Sequence, residues 1–137
     1  MSDGLGELHV AAVLALLNEV DNLTIYDGAA PPAKDATYPH AVVYPDPGMR
    51  DSDRLSAAVT NFAGIIQITG VGTDRWQAGW ACDHARDALV GVRPEVAGRN
   101  TRPIEQLLAR PIEPDKDDPA NVVCYGVMQF RISSTPA

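Results

Sequence analysis

Apolar positions from Leu5 to Val20 follow a helical period. At about 100° per residue, Leu5, Val10, Val13, Leu14, Leu16, Leu17 and Val20 spread over half of the helix circumference, and Glu7, Ala11, Ala15 and Asn18 fill the remainder. So wide an arc exceeds what packing on one sheet face needs, and the helix is expected to meet a second surface, from its own chain or a neighbour. Asp21-Asn22 ends it, and Leu23-Thr24-Ile25-Tyr26 has the β-branched and aromatic content of a short strand. From Asp27-Gly28 to Tyr38-Pro39 three prolines exclude a regular ladder, so this stretch is a loop. His40 to Tyr44 then reads as a strand. Beyond Pro45-Asp46-Pro47-Gly48, the residues Met49 to Ser56 are polar and charge-rich before Ala57 to Val71 turns apolar again. That pattern predicts two strands joined by an extended hairpin or arm.

The second of those strands ends at Gly70-Val71-Gly72, and helix signals begin at once. Asp74 with Gln77 three residues on is an N-cap pair, and Leu89-Val90 followed by Gly91 closes the helix. Its apolar stripe is small: Ala78, Ala81, Cys82, Ala85 and Leu89, sizes that let a helix lie close to a sheet. Val92 to Asn100 and Ile104 to Leu108 are candidate short strands interrupted by Pro94, Gly98 and Pro103. Pro111 to Pro119 is a proline-rich, acidic and flexible loop. In the last strand, Val122 to Ile132, alternation places Val122, Cys124, Met128, Phe130 and Ile132 on the core face, with Val123, Tyr125, Val127, Gln129 and Arg131 opposite. The order of elements predicts an α+β fold, a mostly antiparallel β-sheet with two α-helices on one face and an extended hairpin arm.

At 137 residues, 45% of them hydrophobic, the chain suits one domain spanning 1–137 and excludes a large multidomain enzyme. Eleven Lys and Arg against 18 Asp and Glu leave a net charge of -7, which argues against indiscriminate binding to duplex DNA. No apolar run reaches the length of a membrane span, and Met1-Ser2-Asp3-Gly4 has no basic region of a secretory signal, so synthesis in the cytoplasm is expected. Cys82 and Cys124 are too few for a disulfide framework or an all-cysteine zinc site.

Each candidate chemical motif has a structural reading beside it. Gly70-Val71-Gly72-Thr73-Asp74 sits where a phosphate cradle would, yet it lacks the third glycine of a dinucleotide fingerprint and the Lys of a P-loop, and Asp74 would repel phosphate. A tight turn and cap is expected instead. Cys82 and His84, with His9 and His40, invite a metal or Cys-His nucleophile, but about 200° of helix separates Cys82 from His84, and a buried structural thiol is expected. Asp83 and Asp87 around Arg86 read as surface charges. No cofactor or metal is predicted. Trp76 and Trp80 are the anomaly: they point within about 40° of each other and nearly opposite the small stripe, so both are expected to face outward, either under a covering loop or as anchors of an interface.

Ile25-Tyr-Asp-Gly28, Pro31, Tyr38-Pro-His-Ala-Val-Val-Tyr-Pro-Asp-Pro-Gly48, Gln67-Ile-Thr-Gly-Val-Gly72 and Trp80-Ala-Cys-Asp-His-Ala-Arg-Asp-Ala-Leu89 together resemble the tail terminator proteins of long-tailed bacteriophages, particularly those of actinobacteria. A weaker likeness, Pro111-Ile-Glu-Pro-Asp115, lies before the last strand. These are turns and core strands, and the likeness rests on their order and spacing. It implies an α+β virion subunit without enzymatic activity that forms a ring, typically a hexamer, on the head-proximal end of the tail. Such a ring stops polymerisation of the major tail tube protein and offers its other face to a neck or head-completion protein, while DNA passes through without specific binding.

On that reading the candidate interface comprises Trp76, Trp80, Met49, Arg50 and Arg54, and Asp115, Asp117 and Asp118 form a candidate channel-facing acidic loop. Another neck or head-tail joining protein is the nearest alternative; a small Cys/His enzyme and a ligand-binding domain are the remaining ones.

Overall fold

The computed structural model describes residues 4–51 and 61–137. Two long antiparallel strands form its spine, β4 (Asn61–Gly72) and β8 (Val123–Pro136), paired without interruption from Phe62 opposite Ser134 to Gly72 opposite Cys124. Against the free edge of β4 lie β2 (His40–Pro45), opposite its second half, and β3 (Met49–Asp51), opposite its start. Between β2 and β3 the chain turns at Asp46, whose Oδ1 accepts the Gly48 and Ile65 amides at 2.8 and 3.2 Å, with Gly48 at φ +78°. The edge strand β1 (Thr24–Asp27) pairs parallel with β2, the long 28–39 connection having returned the chain to the same end. Three short strands share the far edge of β8: β5 (Arg99–Thr101), β6 (Glu105–Ala109) and β7 (Glu113–Asp115), all antiparallel to it.

Both helices, α1 (Leu5–Leu17) and α2 (Arg75–Leu89), contribute to one core with a single face of this sheet. The strict alternation of β4 and β8 decides which face: Phe62, Ile66, Ile68, Met128, Phe130 and Ile132 all point to the helices, joined by Ala41 and Val43 of β2. From α2 come Ala81, Cys82, Ala85 and Leu89, and from α1 Leu5, Val13 and Leu17. The α+β fold with two helices over a mostly antiparallel sheet agrees with the pattern of the sequence.

Several boundaries differ from expectation. The first helix stops at Leu17, and tight turns carry Glu19 and Val20, with Asn22 in the left-handed region at φ 64°. Its wide apolar arc is divided: Leu14, Leu16 and Val20 pack at the edge of the core, and His9, which falls inside the arc, is fully buried. Because β8 is flanked on both sides, its ladder continues to Pro136, past the expected end at Ile132. Val122 falls outside it and is exposed, Cys124 is half-buried, and Gly126 and Ser134 complete the core face.

Gly70 and Gly72 are not a turn but the last strand residues beneath α2; a Cβ on Gly70 would lie 2.6 Å from the Cys82 sulfur. The turn comes later, at Thr73-Asp74. The Pro111 to Pro119 segment is not a free loop either, since β7 pairs Glu113–Asp115 with β8 and places Pro114 on the outer edge, where the missing amide costs no ladder bond.

Candidate functional site

The three histidines and two cysteines are dispersed through the fold. His9 is sealed between α1 and the sheet, its ring stacked on Phe62 with centroids 4.1 Å apart. Its Nδ1–H donates to the Leu5 carbonyl at 2.7 Å, which leaves Nε2 as an acceptor for the Ser134 hydroxyl, also at 2.7 Å. Arg99 donates from Nε to the same Ser134 oxygen at 3.0 Å and from Nη2 to the Ser134 carbonyl at 3.2 Å. A hydroxyl within reach of an imidazole is the geometry of a nucleophile and its base. Ser134, however, is only 1% exposed, and no substrate reaches it. Burial holds the His9 pKa below the ordinary imidazole value, reinforced by the positive charges of Arg99 and Arg50.

His40 donates from Nδ1 to the Thr37 carbonyl at 2.9 Å and lies 5.1 Å from the rings of both Tyr26 and Tyr38, and its pKa too is lowered by burial. Cys82 lies under α2 facing Gly70 and Gly126, its thiol pKa pushed up by burial, the opposite of what a nucleophile needs. His84 is on the outer side of the same helix, donating to the Trp80 carbonyl at 2.9 Å, so it and Cys82 share no partner. Among the described residues no group of three or more His, Cys, Asp or Glu converges as metal ligands. Asp83 and Asp87 flank Arg86 at 3.6 Å each on the exposed surface, as expected.

Docking surfaces are more developed than chemical sites. The face of the sheet opposite the helices carries Tyr44, Ile65, Gln67, Thr69, Val127 and Gln129, with cross-strand neighbours Tyr44 and Gln67, Ile65 and Arg131, and Thr69 and Val127. Tyr44 and Ile65 are about two-fifths exposed. At one end of this face, the segment between β1 and β2 folds over the sheet, held by the Tyr38 hydroxyl donating to the Ala33 carbonyl at 2.7 Å. Beneath it is an open cavity of about 300 Å³ lined by Pro31, Tyr38, Tyr44, Tyr125 and Asp115 among others. A second depression, about 490 Å³, lies at the other end beside Met49, Ile65, Arg102 and Arg131, where Arg131 also pairs with Glu105 at 3.6 Å.

The predicted interface residues do not form one patch. Trp76 projects from the first turn of α2, 77% exposed, with the Arg75 guanidinium 4.5 Å from its ring centroid. Trp80 is only partly exposed, against the outward placement expected of it: it packs against the core and stacks on His84 at 3.9 Å. Met49, 79% exposed, and Arg50 belong to β3 at the opposite end of β4. Nine steps along the strand lead from Ala63, the partner of Met49, to Gly72, which precedes α2, a span of about 30 Å. Arg54 lies outside the described residues.

The three acidic residues are built into turns. Asp115 accepts the Asp117 amide at 3.0 Å, and Asp118 accepts the Ala120 amide at 3.1 Å and the Asn121 side-chain amide at 3.0 Å. Asp115 lines the cavity that Tyr38 also lines, and the charge of Asp118 helps raise the Tyr38 pKa, after burial and Tyr26.

No family model and no curated protein matches the chain. Its fold, however, has a full-length counterpart. A chain in the virion of a native gene transfer agent particle superposes with a TM-score of 0.66, covering 98% of this chain and 99% of that one at 18% sequence identity. Coverage so nearly complete means that the short β5–β7 strands and both helices fall within the common architecture. The fold, and not a set of shared side chains, is what the two proteins have in common.

The cavity and the buried His9–Ser134–Arg99 network were not legible in the sequence. Alternation alone places Tyr125 on the outward face of the last strand, but that Tyr44 and Tyr38 join it follows from the pairing of β2 and β8 on either side of β4 and from the return of the 28–39 segment over the sheet. For His9 the signal was present: it falls within the apolar arc of the first helix, between Leu5 and Val13.

Proposed function

We propose that the chain is a structural component of a phage or phage-like virion, and within it the tail terminator: a subunit of a ring that caps the head-proximal end of the tail tube. The observation that carries this reading is the full-length correspondence with a chain of the gene transfer agent virion. The ordered motifs from Ile25 to Leu89 that resemble tail terminators give the more specific assignment. The work of such a protein is binding, without bond making or breaking. Large outward side chains at two ends of the molecule, Trp76 and Met49, and an open sheet face supply the surfaces that several partners require.

In this assignment one ring face meets the major tail tube protein and the other a neck or head-completion protein, and a hexamer is the expected closed form. The protein is assembled in the host cytoplasm and ends in the virion, with DNA crossing the ring and no cofactor or metal required. A tube-capping assay tests it. Tail tube protein from the same phage is polymerised with and without the purified chain, and tube lengths are measured by negative-stain imaging. Tubes that stop growing and carry a ring at one end are expected. Unchanged lengths with the chain bound only to finished tails would instead make it a neck component.

A further inference from the structure

Trp76 exposes 77% of its surface to water while Arg75 lies over its ring, and Arg75 makes no ion pair with a carboxylate among the described residues. An indole with a stacked guanidinium, unburied and uncompensated, is the composition of an interface anchor. Its direction is fixed by the helix. Ala85 is among the residues buried against the sheet, and nine residues at 100° each put Trp76 about 180° from it, aimed away from the sheet.

The cavity under the 28–39 segment has the opposite character. It is concave and lined by Pro31, Tyr38, Tyr44, Tyr125 and the carboxylate-bearing Asp115, while the negative charge of Asp118 is felt at Tyr38. Its volume of about 300 Å³ is at the lower end for small-ligand sites, a size for one large side chain. Both features sit at the end of the molecule where β4 runs out, Val71 lining the cavity and Arg75-Trp76 following three residues after Gly72. They lie on opposite faces of the sheet, so one copy cannot use both on itself. A cationic aromatic projection and an anionic aromatic recess on the two sides of one subunit are complementary in shape class and in charge.

We propose that Trp76 of one copy inserts into the cavity of the next copy, with Arg75 meeting the carboxylate of Asp115. The contact is heterologous: each subunit gives its projection to one neighbour and its recess to the other, the arrangement that closes into a ring when the rotation permits. This deepens the ring assignment and rests on it.

The test uses the full chain and two variants, Trp76→Ala and Asp115→Arg, each checked for wild-type circular dichroism. Sedimentation is followed up to about 1 mM protein. Wild type is expected to self-associate, each variant to weaken association by about thirty-fold or more, and an equimolar mixture of the two to stop at dimers, joining the intact projection of Asp115→Arg to the intact recess of Trp76→Ala. Wild-type association in Trp76→Ala, a wild type that stays monomeric throughout, or folded variants whose mixture stays monomeric would each overturn the contact. Rings of Trp76→Ala that still stop tube growth would overturn the contact and leave the terminator role standing. Assembly that follows the expected pattern but never stops tube growth would do the reverse.

Discussion

His9 shows how a single polar side chain is accommodated inside this core. In the neutral form both of its nitrogens are occupied, Nδ1 giving a proton to the Leu5 carbonyl and Nε2 taking one from the Ser134 hydroxyl. Protonation would bury a positive charge in a region that Arg99 and Arg50 already keep positive, and would require the Ser134 hydroxyl proton to turn away from Nε2. The folded-state pKa therefore lies below the value of about 6.5 that the unfolded chain shows, and burial does the same for His40. As pH falls through that value the unfolded chain gains protons that the folded chain refuses. The contribution is complete above about pH 6.5 and is lost below it. Urea unfolding is thus expected to show a lower midpoint at about pH 5 than at pH 7, with a shallower dependence in His9→Phe, whatever its baseline stability. An equal slope in that variant would assign the effect to His40 or to groups elsewhere.

Between elements, the controlling feature is how closely α2 approaches the sheet. Ala78, Ala81, Cys82 and Ala85 meet strands that present Gly70, Gly72 and Gly126, so helix backbone and strand backbone are separated by almost no side chain. A methyl group on Gly70 would stand 2.6 Å from the Cys82 sulfur and 3.0 Å from its amide nitrogen, forcing the helix outward. Gly70→Ala is expected to cost about 1–3 kcal/mol of stability by thermal or urea unfolding. Cys82→Ala in the same chain should recover only part of that, since the amide contact remains; full recovery would mean that the sulfur alone sets the spacing. The helix start is independent of this packing. Asp74 accepts the Gln77 backbone amide at 2.8 Å, the N-cap pair expected from the sequence, and the Gln77 side-chain oxygen accepts the Thr73 amide at 2.7 Å.

For the whole molecule, net charge matters more than any single ion pair. Each copy carries -7, and a ring of the kind proposed would multiply that charge around its channel. Linear duplex DNA mixed with the protein in an electrophoretic shift assay at about 0.15 M salt is expected to migrate unretarded. Retardation that salt abolishes would reveal a basic lining in the assembly and contradict the expectation of a non-sticking channel. The same net charge opposes association of copies, so a contact of opposite signs, such as the proposed one of Arg75 with Asp115, would be the more effective selector of one mutual orientation.

By itself the sequence determined both helices, the long strands and the inward direction of Met128, Phe130 and Ile132, because these follow from local rules: a 3.6 period in Leu5 to Leu17, alternation in β8, the Asp74 cap, and Gly91 at φ +80° after α2. The small stripe of α2 already implied close packing and a buried Cys82. Only the tertiary structure decided that Gly70 and Gly72 lie beneath a helix instead of forming a turn, that Glu113–Asp115 is a strand, that Trp80 packs inward while Trp76 does not, and that Tyr38, Tyr44 and Tyr125 surround one cavity. Each of these depends on which remote segment arrives next to which. A period along one element records the direction its side chains face, and carries nothing about what stands opposite them.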